Sequence, residues 1–501
     1  MIGALSHPSS NCINGQVITL PGDAIVSRDP AQPARIVWSG SPNVAHVDMA
    51  VAAARAALPA WVASPRENRI ACLKRWAEIV TRRASDIASL ITDETGKTLS
   101  ESLAEAKLLA DKVDITLDRT SLDRMSEYEV PLSAARKGVC RFKPHGVMAV
   151  IGPFNFPAHL PNGHFVPALL AGNTVVFKPS EKTPGVGQLL AEMMMDIDVP
   201  PGVFNLVHGA GDVAAKLVSH PDIDGILFTG SWPVGRKILE ANLDRPGRII
   251  ALEMGGNNPS VVMDDAHLKQ AVIENVRSAF ATTGQRCTCT RRVIVQRDIA
   301  DRFISAFCNA ASTLSVGPGR SESPVFMGPL INRAAVDAAL GFQTNLASRG
   351  GRVLVQSTDM PSPGNGHFIT PGVVEVERFT LDFDCEVFGP IVQIAIVDTL
   401  EQAIEQANAT RYGLAAAIFT ASRETFETFF QRCRSGCINW NTGTAGASGK
   451  LPFGGVGHSG NHRPAGAFSV DYCAYPIANM VETSAEVALP AGMLWEDRWL
   501  Q

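Results

Sequence analysis

Between residues 146 and 243 the chain alternates short apolar runs with stretches of helical periodicity, and no other feature constrains its fold as much. The run Gly146-Val147-Met148-Ala149-Val150-Ile151-Gly152 is closed by glycine at both ends, as a strand buried on both faces should be. The pattern predicts further strands over 173–178, 203–207 and 225–229, with helices over 161–171, 184–196, 211–219 and 234–243 between and after them. Parallel neighbours need a crossover connection, so this order predicts an open parallel sheet with helices on both faces. A second α/β region is expected from about residue 249, with strands over 293–295 and 393–397. Its boundary with the first falls near 250–256. A chain of 501 residues is too long for a single core, which agrees with more than one domain.

Ahead of the alternation, apolar and small residues recur at helical spacing over 44–60, 66–83 and 85–117, predicting a mainly helical N-terminal part. Residues 129–132 and 138–143 read as two extended arms around a polar bend.

Composition excludes several classes. The net charge of -5 and the absence of a basic stripe argue against a nucleic-acid partner. No apolar run has the length of a bilayer span. The first residues, Met1-Ile2-Gly3-Ala4-Leu5-Ser6-His7-Pro8, lack the basic start and apolar stretch of a secretory leader, so a cytoplasmic location is expected. The 10 cysteines are scattered without paired Cys-x-x-Cys elements, so no metal site is expected. Cys12, Cys72, Cys308, Cys433 and Cys437 read as free, buried thiols of a reducing compartment.

Cys287, in Thr283-Gly284-Gln285-Arg286-Cys287-Thr288-Cys289, and Glu253, in Leu252-Glu253-Met254-Gly255-Gly256-Asn257, form the pair with the clearest chemistry. A thiol attacks carbonyl carbon, and a carboxylate activates water. In Pro153-Phe154-Asn155-Phe156-Pro157 the Asn155 amide suits an oxyanion, although an asparagine that merely caps a turn has the same sequence. Phe228-Thr229-Gly230-Ser231-Trp232-Pro233-Val234-Gly235 ends a strand and opens a helix, where free N–H groups attract phosphate. It lacks the usual dinucleotide fingerprint. Lys178 and Glu181 lie at the carboxyl end of an earlier strand, where a carboxylate can hold both ribose hydroxyls and repel a 2′-phosphate. Glu386-Val387-Phe388-Gly389-Pro390 and Pro452-Phe453-Gly454-Gly455 are, taken singly, ordinary turns.

Together and in this order, these motifs resemble the NAD(P)-dependent aldehyde dehydrogenase superfamily over residues 20–475. The run Phe154-Asn155-Phe156-Pro157-Ala158-His159-Leu160-Pro161-Asn162-Gly163-His164, with Gly284 to Arg292, most resembles the branch that oxidises N-succinylglutamate 5-semialdehyde in bacterial arginine catabolism. Phe154 stands where most relatives carry tryptophan.

The resemblance implies an aldehyde dehydrogenase-like α/β fold with a small β oligomerisation arm. A Rossmann-type NAD domain would take residues 1–128 and 144–252, the catalytic domain 253–450, and the arms 129–143 and 467–501. It implies Cys287 as nucleophile, Glu253 as the base that hydrolyses the thioester and Asn155 as oxyanion donor. NAD would be held by Lys178, Glu181, Gly230, Ser231, Trp232, Pro233, Val234, Gly235, Glu386 and Phe388, and no metal is implied. The partners implied are a dicarboxylate semialdehyde and further copies of the chain, as a homodimer or homotetramer. Such a substrate needs cationic or donor groups near Cys287, and Arg286, His159 and His164 are the candidates. Each is equally readable as structural. Cys289, two residues from Cys287, would point the same way in an extended segment; it reads as a buried thiol or a redox partner. A CoA-acylating relative generally lacks Glu253, and a non-enzymatic relative would not need the cysteine, glutamate and asparagine together.

Overall fold

The computed structural model describes residues 5–362 and 364–501. Met1 to Ala4, part of the segment read above as lacking a leader, lie outside the described residues. The chain opens with two hairpins, β1 (Ser10–Ile13) with β2 (Gln16–Thr19), and β3 (Ile25–Asp29) with β4 (Gln32–Gly40). The sequence periodicity gave no sign of them, because β1, β2 and β3 have too few residues for a period of two to register and the nine-residue β4 is largely exposed over its first half, without alternation.

Helices α1 (His46–Ala63), α2 (Arg66–Arg82), α3 (Ala84–Thr95), α4 (Leu99–Leu117) and a short α5 (Arg119–Asp123) follow. The helical stretch expected over 85–117 is broken in the structure. Gly96 stops α3 in the left-handed region at φ 75°, and a Cβ there would lie 2.4 Å from Pro329 Cγ. Thr98 then opens α4 by accepting from Glu101 N–H at 3.3 Å.

After β5 (Tyr128–Pro131) and β6 (Arg136–Pro144) comes the alternation: β7 (Val147–Ile151), α6 (His159–Ala171), β8 (Thr174–Lys178), α7 (Pro184–Asp196), β9 (Phe204–Leu206), α8 (Gly211–Ser219), β10 (Gly225–Gly230), α9 (Trp232–Glu240) and β11 (Ile249–Met254). The sheet runs β11-β10-β7-β8-β9-β1-β2; its first five strands are parallel, and the β1–β2 hairpin closes the edge antiparallel. One face is covered by α2, α3, α4, α6 and α7 around Trp76, Phe165 and Phe177, the other by α1, α8 and α9. Each such fully buried large side chain stabilises the fold by about 1.5–3 kcal/mol.

β11 carries Glu253 and pairs with β10 through Met254, so the first sheet reaches two residues beyond 252 and the crossing into the second lies at Gly255–Asn257. The second sheet starts with β12 (Asn258–Val262) and takes in β13 (Thr290–Gln296), β14 (Arg352–Val355), β15 (Gly372–Glu375), β16 (Ile391–Val397), β17 (Ala415–Phe419) and β18 (Cys437–Trp440). Its order is β14-β15-β16-β13-β12-β17-β18, parallel except for β14. Helices α10 (Leu268–Phe280), α11 (Arg297–Ser312), α12 (Arg333–Ser348), α13 (Leu400–Asn408) and α14 (Arg423–Arg432) cover it.

A small pair, β19 (Pro452–Phe453) and β20 (Ala465–Gly466), precedes β21 (Ala474–Glu482), which joins β6 and β5 in a separate three-stranded sheet. The arm expected from residue 467 starts at Ala474 instead. Tyr472 and Cys473, just before β21, are buried against the first core. Tyr128, Val130, Leu132 and Met480 leave exposed apolar surface on the arm, and Val487, Leu489, Leu494 and Leu500 do so on the tail. Among the described residues no helix is long and apolar enough to cross a membrane.

One buried ion pair ties the first core to the site. Lys97 Nζ lies 2.6 Å from Glu105 Oε2, both side chains at most 2% exposed. The other carboxylate oxygen accepts the N–H groups of Ala158 (3.0 Å) and His159 (3.1 Å), so Glu105 also caps α6. Glu105→Ala strands the ammonium and two donors, and is expected to cost about 3–5 kcal/mol. Glu105→Leu with Lys97→Met removes both charges and is expected to recover much of that loss. Denaturant midpoints of the two variants check this, and an unchanged midpoint for Glu105→Ala would refute the assigned role.

Candidate functional site

Parallel strands present their carboxyl ends at one edge of a sheet, and ligands collect there. Glu253 near the end of β11, Gly230 at the end of β10, Asn155 after β7 and Lys178 at the end of β8 share that edge. The second sheet delivers Cys287 to it on the turn between α10 and β13.

That turn is forced into shape. Thr282 (φ 54°) and Thr283 (φ 56°) both sit in the left-handed region, which costs energy for a β-branched residue, and Gly284 (φ 70°) follows. At Gly284 a Cβ would lie 2.2 Å from the Gly389 carbonyl, so only glycine fits. Glu101 accepts Thr282 N–H (2.9 Å) and its hydroxyl (2.8 Å). Arg291, buried, donates to the carbonyls of Gly284 (2.7 Å), Arg286 (3.0 Å) and Gly389 (3.1 Å). Asn258 Nδ2 donates to the carbonyls of Cys287 (2.7 Å) and Cys289 (2.9 Å). Sequence reasoning missed the roles of Glu101, Asn258 and Arg291. No spacing pairs positions so far apart, and only their burial and bonding reveal them.

Held this way, Cys287 carries a backbone N–H without a partner among the described residues. Asn155, 5% exposed, donates one amide N–H to the Gln285 carbonyl at 3.0 Å, which leaves its second N–H unbonded. These are two donors for an oxyanion beside one thiol. The thiol is neutral at rest. Burial, then the charges of Glu253 and Glu386, push it well above its ordinary value. The main influences on it include no cation among the described residues, so a thiol attacking from this state gives up its proton as it attacks.

Glu253 is the carboxylate that faces it. It is wholly buried and faces the Cys287 thiol and Thr229, which both lie close enough to lower its carboxyl against burial, although neither oxygen has a partner at full hydrogen-bond geometry among the described residues. Burial raises its carboxyl to about 7, the range in which a base works best at neutral pH.

Glu386 Oε1 accepts Gly256 N–H at 3.1 Å, and a Cβ on Gly255 would lie 1.8 Å from the other oxygen. Burial raises Glu386 to about 7 as well. Phe388 meets Phe154 edge to face at 5.7 Å, so phenylalanine at 154 still packs against the motif of the second sheet. At the start of α9, Ser231 makes no side-chain cap, Pro233 has no N–H, and Val234 and Gly235 donate to the Ser231 carbonyl. Val234 is exposed, while Gly235 is small because Met254 Sδ lies 2.3 Å from where its Cβ would be. Trp232 stacks on His458 at 3.9 Å. Lys178 is buried, with its ammonium on the carbonyls of Pro179 and Gly209, both at 2.8 Å, and burial lowers it to about 8. Glu181 beside it is exposed. An uncapped helix start and an exposed carboxylate at the edge of the first sheet, with a glycine-lined carboxylate from the second beside Gly255 and Gly256, fit a dinucleotide. No group of His, Cys, Asp and Glu that could hold a metal occurs among the described residues.

The candidates for substrate recognition separate. Arg286 donates to Thr282 Oγ1 (2.7 Å) and Glu101 (3.0 Å), bracing the turn, which is the structural reading. His164 is buried between Tyr472 and Thr229. The His159 ring makes no hydrogen bond among the described residues, and Nδ1 is sealed without a partner. It packs on Phe156, which also receives Lys97 at 3.4 Å and Arg286 at 5.4 Å. Gly163, one turn further along α6 on the same face, has open space where a side chain would be. Cys289 is fully buried, its segment turning through a Cys289 N–H to Arg286 carbonyl bond rather than running extended. The alternation argument for two parallel thiols therefore does not apply, and all ten cysteines are free.

A cavity of about 620 Å³ lies elsewhere, beside the arm, lined by His145, Asp224, Arg245, Arg248 and Tyr475. Its arginines are spent on carbonyls at the end of α8, so it is a helix cap and not part of this site.

Residues 20–476 match the model of the aldehyde dehydrogenase family. The chain is 42% identical over 471 residues to an N-succinylglutamate 5-semialdehyde dehydrogenase of Sphingopyxis alaskensis, covering 94% of this chain and 97% of that one. It is 44% identical over 474 residues to N-succinylglutamate 5-semialdehyde dehydrogenase 2 of Caulobacter vibrioides, covering 93% and 95%. Among solved structures, an indole-3-acetaldehyde dehydrogenase mutant of P. syringae in complex with NAD+ and IAA superposes with a TM-score of 0.91 at 26% identity, covering 96% and 98%. Lactaldehyde dehydrogenase from Escherichia coli superposes at 0.89 with 29% identity, covering 95% and 100%.

Proposed function

The chain belongs to the aldehyde dehydrogenase family, whose members use NAD(P), and from that premise we propose that it oxidises N-succinyl-L-glutamate 5-semialdehyde to N-succinyl-L-glutamate with NAD, in arginine catabolism. The observation that carries the chemistry is the meeting of the Cys287 thiol with a buried carboxylate, Glu253, and two unspent N–H groups among the described residues. The substrate rests on relatives of 42% and 44% identity that carry this activity in their names.

In this reading Cys287 Sγ attacks the aldehyde carbon as its proton passes to Glu253. The oxygen takes negative charge and is held by Asn155 Nδ2–H and the Cys287 N–H. NAD held by the residues named below would supply the acceptor for the hydride that leaves this carbon. A thioester on Cys287 remains. Glu253, its proton lost to solvent, takes one from a water that attacks the thioester, and the acid departs as the thiol is restored.

Lys178 and Glu181 would hold the adenosine ribose, Gly230 through Gly235 the pyrophosphate at the start of α9, and Glu386 with Phe388 the nicotinamide ribose. His159 is the side chain with hydrogen-bonding capacity to spare for a substrate carboxylate, and the space over Gly163 suits the acyl arm. The exposed apolar residues of the arm and tail support assembly with further copies of the chain, as a dimer or tetramer.

The test is NADH formation from a panel of semialdehydes with and without carboxylates. The N-succinyl substrate should exceed a neutral aldehyde of equal length in kcat/KM by about 10- to 100-fold, the worth of one or two hydrogen bonds to charge. NAD should be preferred to NADP, and Glu181→Ser should narrow that preference. Equal rates with neutral aldehydes would overturn the substrate assignment.

A further inference from the structure

Thr229 and Glu253 are register partners on the neighbouring parallel strands β10 and β11. Their side chains leave the sheet on the same face, roughly 5 Å apart. A hydroxyl in that position would ordinarily donate to the carboxylate; Thr229 lies close enough to lower the Glu253 carboxyl, yet neither Glu253 oxygen has a partner at full hydrogen-bond geometry among the described residues.

Proton directions follow by elimination. The single proton of the Tyr472 hydroxyl goes to the Pro464 carbonyl at 2.9 Å. His164 Nδ1, 2.8 Å from the same oxygen, must therefore carry a hydrogen and donate it. His164 is 2% exposed, and burial, with Lys112 adding to it, lowers the ring to about 3, so it is neutral. A neutral ring protonated at Nδ1 has a lone pair at Nε2. Thr229 Oγ1, 3.0 Å away, therefore donates to it. Every hydrogen in the chain Thr229, His164, Tyr472, Pro464 points away from Glu253.

We propose that His164 is a positioning residue, which takes the Thr229 proton and so leaves Glu253 without a donor and basic enough to activate water. This rests on Glu253 as the hydrolytic base, and His164 touches no reacting atom. The titratable neighbours of Glu253 are Cys287 and Glu386, with Cys437 on β18 also within its field. His164 faces Lys112 and Tyr472. A hydroxyl donating to a carboxylate stabilises its charged form and lowers its pKa.

The experiment follows thioester hydrolysis, the slow phase after the first turnover of NADH, as a function of pH in the full enzyme. In His164→Phe the Thr229 hydroxyl is free to turn to Glu253. The midpoint should move about one pH unit toward acid, the worth of one hydrogen bond to a charged group. In His164→Phe with Thr229→Val it should return to the wild-type position. An unshifted midpoint in the first variant, or a shift that persists in the second, overturns the inference. If His164→Phe does not fold, Thr229→Val alone decides. An unchanged midpoint supports the inference, and a midpoint raised toward alkali means that the hydroxyl had served Glu253 all along. The underlying reading is tested separately by Glu253→Gln. Should that variant keep the wild-type pH dependence, Glu253 is not the base and both readings fall. Should it flatten the profile while His164→Phe shifts nothing, only the role of His164 is lost.

Discussion

Replacing Cys287 with alanine is expected to lower kcat/KM for aldehyde oxidation by roughly 10⁴-fold or more, the scale on which covalent enzymes lose activity with their nucleophile. Two groups that would bind the oxyanion, Asn155 Nδ2–H and the N–H at position 287, remain, so some rate above background should persist. The alanine side chain sits on the same turn, because Asn258 and Arg291 hold backbone carbonyls there and do not touch the thiol. Binding of NAD, followed by fluorescence, should therefore be unaffected, which separates lost chemistry from a lost fold. Cys289→Ser gives the opposing control. Its thiol is sealed against the Ala281 carbonyl at 3.8 Å, and burial raises its pKa. It should keep most of the activity. If instead Cys287→Ala retained a tenth of the rate and Cys289→Ser abolished it, the nucleophile would be the wrong cysteine.

The sheets and the catalytic cluster were legible to different degrees, for physical reasons. Strands such as β7 and β8 announce themselves because both faces are buried, so the apolar run is continuous and glycine ends it. The hairpin β1–β2 does not. Its four-residue strands include Ser10 and Asn11, which are buried and polar, and only the sheet edge they close explains them. Cys287, Glu253 and Asn155 stand out because a thiol, a carboxylate and an amide each sit in a short motif marked by glycine or proline. Arg286 was readable either way. Its charge is adjacent to the nucleophile in sequence, but its partner Glu101 lies at 185 residues' separation, on the first turn of α4. A sequence shows what a side chain offers and not what has already accepted it. The same limit hid the difference between His159 and His164. They are five residues apart, one with an unpartnered ring and one bonded at both nitrogens.

Glu253→Gln is expected to separate the two halves of the reaction. The amide is nearly isosteric but cannot take a proton from water, so thioester hydrolysis should slow by about 10²- to 10⁴-fold. NADH should then appear as a burst of at most one equivalent per active site, followed by a slow steady state. The burst itself should also slow if Glu253, the carboxylate the raised thiol faces, takes its proton. Hydroxylamine, which attacks a thioester without a base, should restore turnover and trap the acyl group as a hydroxamate. The sign of the pH effect follows from the raised carboxyl of about 7. Only the deprotonated form is a base, so the hydrolysis rate of the wild type should rise tenfold per pH unit below 7 and level off above it. The glutamine variant should show no such limb. A burst followed by slow turnover with an unchanged pH limb would assign that limb to another group, and Glu386, also raised to about 7 by burial, is the neighbour to test next.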